Sequence, residues 1–233
     1  KDACLEANYA VIGEPTNMQP VRRHKGIFME LVRVIGKSGH SSNPMLGNNA
    51  LEGMAQVIDE LLLIREALRK SHNHPDFKVT YPTLNMGHIH GGDNPNRICP
   101  SVELHFDCRT LPGMDVNLVR QEIQARIFER MAKLPFKIEF ETLFQGVNAM
   151  ETDKDSAIVQ VTEEIAKEKS GSVAFCTEGP FFHEMGIDTI IIGPGDINQA
   201  HQPNEFIELS NIDQYVNFLE SLIYRFCVEE TPF

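Results

Sequence analysis

No stretch of this 233-residue sequence approaches the roughly 20 consecutive apolar residues that a membrane-spanning helix needs. No Cys-x-x-Cys pair occurs. The five cysteines, Cys4, Cys99, Cys108, Cys176 and Cys227, are an odd number at irregular spacing. That argues against a disulfide or zinc-ribbon framework and for reduced thiols in a cytoplasmic protein. Basic charge is scarce, with 21 Lys and Arg against 33 Asp and Glu and a net charge of -12. A surface that tracks the phosphates of a nucleic acid is therefore not expected, and neither is a membrane partner. Repeats, low-complexity segments and a signal peptide are also missing. So is an initiating Met: the chain opens Lys1-Asp2-Ala3-Cys4 and reaches a strand-like run within ten residues. The expectation from this is a fragment of something longer.

What is present suits a globular protein. Hydrophobic residues make up 42% and charged residues 23%, ample for a core in one large or two small domains. Residues 27–36 alternate as a strand does. Residues 46–70 carry apolar side chains at helical spacing. Residues 77–90 read as extended until Gly91-Gly92 breaks them. Residues 97–109 alternate again, with Val102, Leu104 and Phe106 set against Glu103, His105 and Asp107. A helix is predicted over 116–132 and a strand over 136–143. That order is β-α-β-β-α-β, the ferredoxin-like arrangement, over residues 20–145. The flanks, 1–19 and 146–233, alternate strand and helix and predict an α/β layer, with helices over 154–169 and 211–227 and strands at 173–175 and 188–192. The fold class is α/β, a partial three-layer αβα domain interrupted by the smaller one.

Two loops hold the candidate site. The run Ile190-Ile191-Ile192 stops at Gly193-Pro194-Gly195, and a polar loop with a lone His201 follows. Near the start, Tyr9–Ile12 stops at Gly13 before Glu14-Pro15. Ligand groups in open α/β sheets collect beyond the carboxyl ends of such strands, so a Glu and a His far apart in sequence could meet there. A lone loop histidine is more often a solvated residue, and Glu14 by itself could be a capping carboxylate. His40, in a Gly/Ser-rich turn, could be a simple loop former. Arg109, at a strand end, could be an exposed charge. Thr177 and Glu178 follow a short strand, where either could cap a helix and Glu178 could instead meet a cationic substrate group. His72, His74, His88, His90 and His183 show no ligand spacing beyond a His88-x-His90 pair on an extended segment.

Six motifs, GEPT, GKSGHSS, GGDNPNRIC, FDCRTLPGM, CTEGPFF and GPGDINQAHQPNE, occur in this order. Together they resemble the dinuclear-zinc amidohydrolases related to aminoacylase and carboxypeptidase, along essentially the whole chain. The resemblance implies a catalytic domain with two zinc ions per complete subunit and an inserted lid that makes a homodimer. It implies that Glu14 and His201 are metal ligands, and that His40 reaches a neighbouring subunit's site to steady an oxyanion. Asn96 and Arg109 would hold the substrate's carboxylate or carbonyl, with Arg97 beside Asn96 as a substitute. The backbone of Gly193 to Gly195 would face the substrate. The implied reaction is hydrolysis of the amide of an N-acyl amino acid, N2-acetyl-L-ornithine, to acetate and ornithine in arginine synthesis. Succinyl-diaminopimelate or a dipeptide are alternative substrates, and cobalt can occupy similar nitrogen and oxygen sites. In that family a His-x-Asp motif, a bridging Asp and a Glu-Glu pair with the general base lie upstream. None is in this sequence, so the chain by itself is expected to be catalytically silent. A non-catalytic dimerisation or binding module is the reading from another class.

Overall fold

A computed structural model describes residues 6–229. Cys4 and the first residues of the 1–19 segment lie outside them. Of the other cysteines, Cys99, Cys108, Cys176 and Cys227 are all free thiols. Among the described residues no helix is long and apolar enough to cross a membrane. The chain forms two compact units. One takes the chain up to Lys25, Asp76–Lys78, and the chain from Ala149 onward; the other takes Gly26–Pro75 and Val79–Asn148. These junctions lie a few residues beyond those read from the sequence.

In the first unit the strands are β1 (Tyr9–Ile12), β2 (Val21–His24), β9 (Met150–Glu151), β10 (Gly171–Val173) and β11 (Asp188–Ile191). They form a mixed sheet in the order β1-β11-β2-β10, with β9 also on β2. Strands β1 and β11 run parallel, Tyr9 opposite Asp188 and Ile12 opposite Ile191. Alternation along β11 divides the packing. Ile190 and Ile192 meet Ile158 and Val159 of α3 (Ala157–Ala166) and Phe218 and Leu222 of α5 (Leu209–Cys227). Ile191 faces the other way, onto Ile12, Val21 and Met150, with Phe182 of α4 (Gly179–Glu184) packed against that cluster. Helices thus cover both faces, as the sequence predicts. Strand β2 was not legible, because Val21-Arg22-Arg23-His24 is polar and yet fully buried. Its charges survive burial because they are paired. Arg22 Nη1 donates to Glu151 Oε1 at 3.0 Å and to the Thr152 carbonyl at 2.8 Å, and Arg23 bonds to Asp76. That last pair draws the short segment Asp76–Lys78 into this unit, so 77–82 is not the start of a strand as expected.

The second unit is built from β3 (Gly26–Ile35), α1 (Ala50–Ser71), β5 (Thr83–Gly91), β7 (Ser101–Thr110), α2 (Val116–Met131) and β8 (Lys137–Val147). Its antiparallel sheet has the order β5-β7-β3-β8, the ferredoxin-like topology. Both helices start on side-chain caps. Asn49 Oδ1 accepts from Leu51 N at 3.2 Å, and Asp115 Oδ1 accepts from Asn117 N at 2.8 Å and Leu118 N at 3.0 Å. One core gathers Phe28, Val32 and Val34 of β3, Leu104 and Phe106 of β7, Val57 and Leu61 of α1 and Ile123 and Ile127 of α2. A small ribbon, β4 (Gly39–His40) on β6 (Arg97–Ile98), lies outside this sheet. The predicted strand over 97–109 is therefore two strands, split at Pro100, which cannot donate to a ladder.

Candidate metal and substrate site

The parallel pairing of β1 and β11 sends both chains out of the sheet at the same end, and their loops are stitched together. Thr16 N and Met18 N donate to the Gly193 carbonyl at 3.2 and 3.0 Å, and Asn17 N donates to the Gly195 carbonyl at 2.7 Å. Gly193 N returns a bond to Thr16 Oγ1 at 3.2 Å. The N–H and carbonyl of Gly193 are therefore both engaged by the Thr16–Met18 loop. Three non-glycine residues of these two loops are left-handed: Asn17 at φ 53°, Met18 at φ 61° and His201 at φ 64°. Each costs of order 1–3 kcal/mol, and such strain concentrates at functional sites. His201 follows a single 3-10 turn, Ile197–Gln199, capped by Asp196, and its N–H donates to Glu205 Oε2 at 3.1 Å.

Glu14 is half-buried in this knot. Burial, the main cause, and the neighbouring Glu178 carboxylate raise its pKa above the ordinary carboxylate range, while His201 opposes them. The three residues are thus electrostatic neighbours. A half-buried carboxylate strained by a like charge and adjoined by an imidazole is a donor set that suits a divalent cation. It is not a closed one: among the described residues, the group of three His, Cys, Asp or Glu with ligand atoms mutually within 4.8 Å is His88, Glu103 and His105 in the other unit.

Glu178 occupies the N-terminal cap position of α4, yet its side chain makes no cap hydrogen bond and is exposed. The cap comes from Thr177, whose Oγ1 accepts from Gly179 N at 3.1 Å and lies 3.2 Å from His24 Nε2. His24 is fully buried and its Nδ1 sits 2.9 Å from the Lys25 carbonyl. That carbonyl can only accept, so Nδ1 carries the proton and Nε2 receives the Thr177 hydroxyl. Burial lowers the pKa of His24, which favours this neutral ring. Thr177 is therefore turned inward. It shapes the turn that presents Glu178, and its hydroxyl is not presented to a substrate. Nothing in the sequence flags His24 as its partner.

The remaining candidates belong to the other unit and fall into two groups. His40 pairs with Arg97 across the β4–β6 ribbon, and Ser41 N donates to the Asn96 carbonyl at 3.1 Å. His40, Asn96 and Arg97 are thus adjacent and exposed. Ser42 N lies 3.2 Å from His40 Nδ1 and Ser42 Oγ lies 2.7 Å from it. A backbone N–H can only donate, so Nδ1 accepts and the neutral ring keeps its proton on Nε2. Arg97 is held by Asp93. This group lies beyond the end of the sheet where Gly36 N donates to the Pro100 carbonyl. Arg109 is at the opposite end, paired with Ile27. Ser101 and Arg109 are eight positions apart on β7, roughly 27 Å of strand.

Gly193 allows the two loops to close. A Cβ there would stand 2.5 Å from the Glu14 carbonyl oxygen and 2.7 Å from Gly13 C. Gly193→Ala is expected to destabilise the protein by about 1–3 kcal/mol, the usual result of forcing a methyl into packed backbone. A urea unfolding midpoint equal to that of the parent would show that the knot is loose.

Residues 22–134 match the family model of the peptidase dimerisation domain. The chain is 44% identical over 223 residues to an acetylornithine deacetylase of Aliivibrio salmonicida, covering 96% of this chain and 59% of that enzyme. It is 41% identical over 227 residues to one from Vibrio cholerae, covering 97% and 60%. The chain thus spans about three fifths of the length of these relatives. Among solved structures, a tripeptidase of Staphylococcus aureus superposes with a TM-score of 0.72 at 18% identity, over 94% of this chain and 57% of that one. The aminopeptidase PepT of Bacillus cereus gives 0.74 at 15%, with the same coverage. At such identity these two show the fold alone.

Proposed function

We propose, because residues 22–134 match the family model of the peptidase dimerisation domain and the chain is similar over nearly its whole length to acetylornithine deacetylases, that it forms the dimerisation lid and part of the metal site of a deacetylase. The substrate is N2-acetyl-L-ornithine and the products are acetate and ornithine. The observation that carries the reading is the strained double loop that makes Glu14, Glu178 and His201 electrostatic neighbours at the end of the β1–β11 pair.

Glu14 would be a ligand of one divalent ion and His201 of a second, zinc or cobalt. When bound, such an ion polarises an amide carbonyl and makes hydroxide available near neutral pH. Apart from the general base, which the resemblance places outside this sequence, the other roles fall to the chain. The Nε2–H of His40 donates to the oxygen of the acetyl carbonyl as negative charge develops there. The Arg109 guanidinium matches the substrate's carboxylate with two parallel hydrogen bonds. Asn96 and Arg97 border the carbonyl group, and Glu178 takes the side-chain ammonium. Two copies are required. An acylated amino acid, about two residues of extended chain, spans roughly 7 Å. His40 and Arg109 of one lid stand far too widely apart to share one substrate, so a second copy of the lid supplies one of them.

The test is turnover by a polypeptide of the relatives' full length that contains this chain, loaded with zinc. Strong preference for N2-acetyl-L-ornithine over N-acetylmethionine and N-succinyl-diaminopimelate is expected, and no turnover on any of them would overturn the reading. Glu178→Gln in the same polypeptide is expected to erode the preference for acetylornithine over acetylmethionine by about tenfold, the value of one exposed charge-assisted contact. An unchanged ratio would remove Glu178 from the pocket.

A further inference from the structure

The outer face of the second unit's sheet carries a group of side chains that the deacetylase reading does not use. Strands β5 and β7 pair antiparallel, with a bulge between Met86 and His88. The extra residue there, Gly87, moves His88 into register with His105; bulges commonly re-aim a side chain in this way. Glu103 and His105 lie two residues apart on β7 and so share that face. The rings of His88 and His105 are 4.5 Å apart between centroids. His105 Nε2 is 3.7 Å from Glu103 Oε1. It is also shut off from solvent and, among the described residues, has no hydrogen-bond partner, which is unusual for a buried ring nitrogen.

We propose that His88, Glu103 and His105 form a second binding site for a divalent cation of the zinc class, built without Glu14 or His201. One ligand atom from each residue lies within 4.8 Å of the other two. Two imidazoles and one carboxylate are the donors that suit zinc, nickel or cobalt, and not magnesium or calcium. Glu103 is oriented for the task by its neighbour, since Arg33 Nη2 donates to Oε2 at 3.1 Å and leaves Oε1 beside His105. Such outer partners fix a ligand's direction. The charge of Arg33 is offset by Glu139 and Glu141, at 3.7 and 3.8 Å. Next to Glu103 is a hollow of about 290 Å³, also lined by His90, Gly91 and Asp93. A cation here would tie the edge strand β5 to β7.

The test is zinc equilibrium dialysis of the metal-free protein carrying Glu14→Gln and His201→Asn, so that the first pair contributes nothing. One zinc per chain is expected. Adding His105→Asn, or separately His88→Asn, is expected to weaken it by at least about tenfold. No bound zinc in the background protein, or undiminished binding in both variants, would overturn the proposal. A second measurement needs no substitution. Titrating paramagnetic Ni²⁺ into the unaltered protein is expected to broaden the amide resonances of residues 87–90 and 103–106, and their persistence at full intensity would count against the site.

Discussion

A heterodimer of one subunit carrying His40→Ala and one carrying Glu14→Ala is expected to be active, although neither homodimer is. The polypeptides must have the relatives' full length, and two different tags allow the mixed species to be isolated. If His40 has the proposed role, both sites of the His40→Ala homodimer lack the oxyanion donor, and loss of one such donor lowers kcat by about 10²–10³-fold. On the same proposal, both sites of the Glu14→Ala homodimer lack a metal ligand. If His40 works across the interface, the mixed dimer has one site with an intact Glu14 facing an intact His40. With a twofold axis, that site should give about half of the parent's activity. The expectation comes from the lid's geometry. His40 is paired with Arg97 at the end of the sheet where Gly36 meets Pro100, and Arg109 is paired with Ile27 at the other. A mixed dimer no better than the two homodimers would mean that His40 serves its own subunit, and the roles of His40 and Arg109 would have to be reassigned.

Local periodicity made much of this legible. Residues 116–132 show a helix because Val116, Val119, Ile123, Ile127 and Met131 fall on one stripe, and all five are buried. Alternation over 101–110 shows a strand because every second residue of β7 is buried. Where burial depends on a distant partner, the sequence is silent. Val21–His24 looks like a polar loop until Glu151 and Asp76 are seen beside Arg22 and Arg23. The same holds for the candidate sites. Gly13 and Gly193 mark two strand ends, so a meeting of their loops could be anticipated from general rules. The inward turn of Thr177 could not, since it depends on His24, 153 positions away. The sequence offers His88-x-His90 as a pair, but the bulge at Gly87 gives His88 a different partner, His105 on the next strand. A one-residue change of register redirects a side chain to the other face, and no one-dimensional spacing records it.

The largest single loss of stability is expected from Arg120→Met. Glu30 of β3 is fully buried, its carboxylate held by Arg120 Nε at 2.8 Å, Thr142 Oγ1 at 2.8 Å and Gln124 Nε2 at 3.0 Å. Arg120 is itself nearly buried. It also donates to Asn117 Oδ1 at 2.7 Å and to the Gln145 carbonyl, and it stacks 4.9 Å above the Phe28 ring. One guanidinium thus fastens α2 to β3 and to the end of β8. Removing it strands a carboxylate in the core, which costs about 3–5 kcal/mol, far more than the pair contributes relative to an apolar replacement. Glu30→Met combined with Arg120→Met should therefore be more stable than Arg120→Met alone. A contrast lies on the same helix, α2. Arg126 and Glu60 of α1 also pair, at 2.7 Å, but the arginine side chain is 32% exposed, so water can take its place beside Glu60 and Arg126→Met should cost clearly less than Arg120→Met. Urea unfolding of the three variants beside the parent decides the matter. Equal losses for Arg120→Met and Arg126→Met would show that solvent reaches Glu30, and the lid would then be held by its apolar core alone.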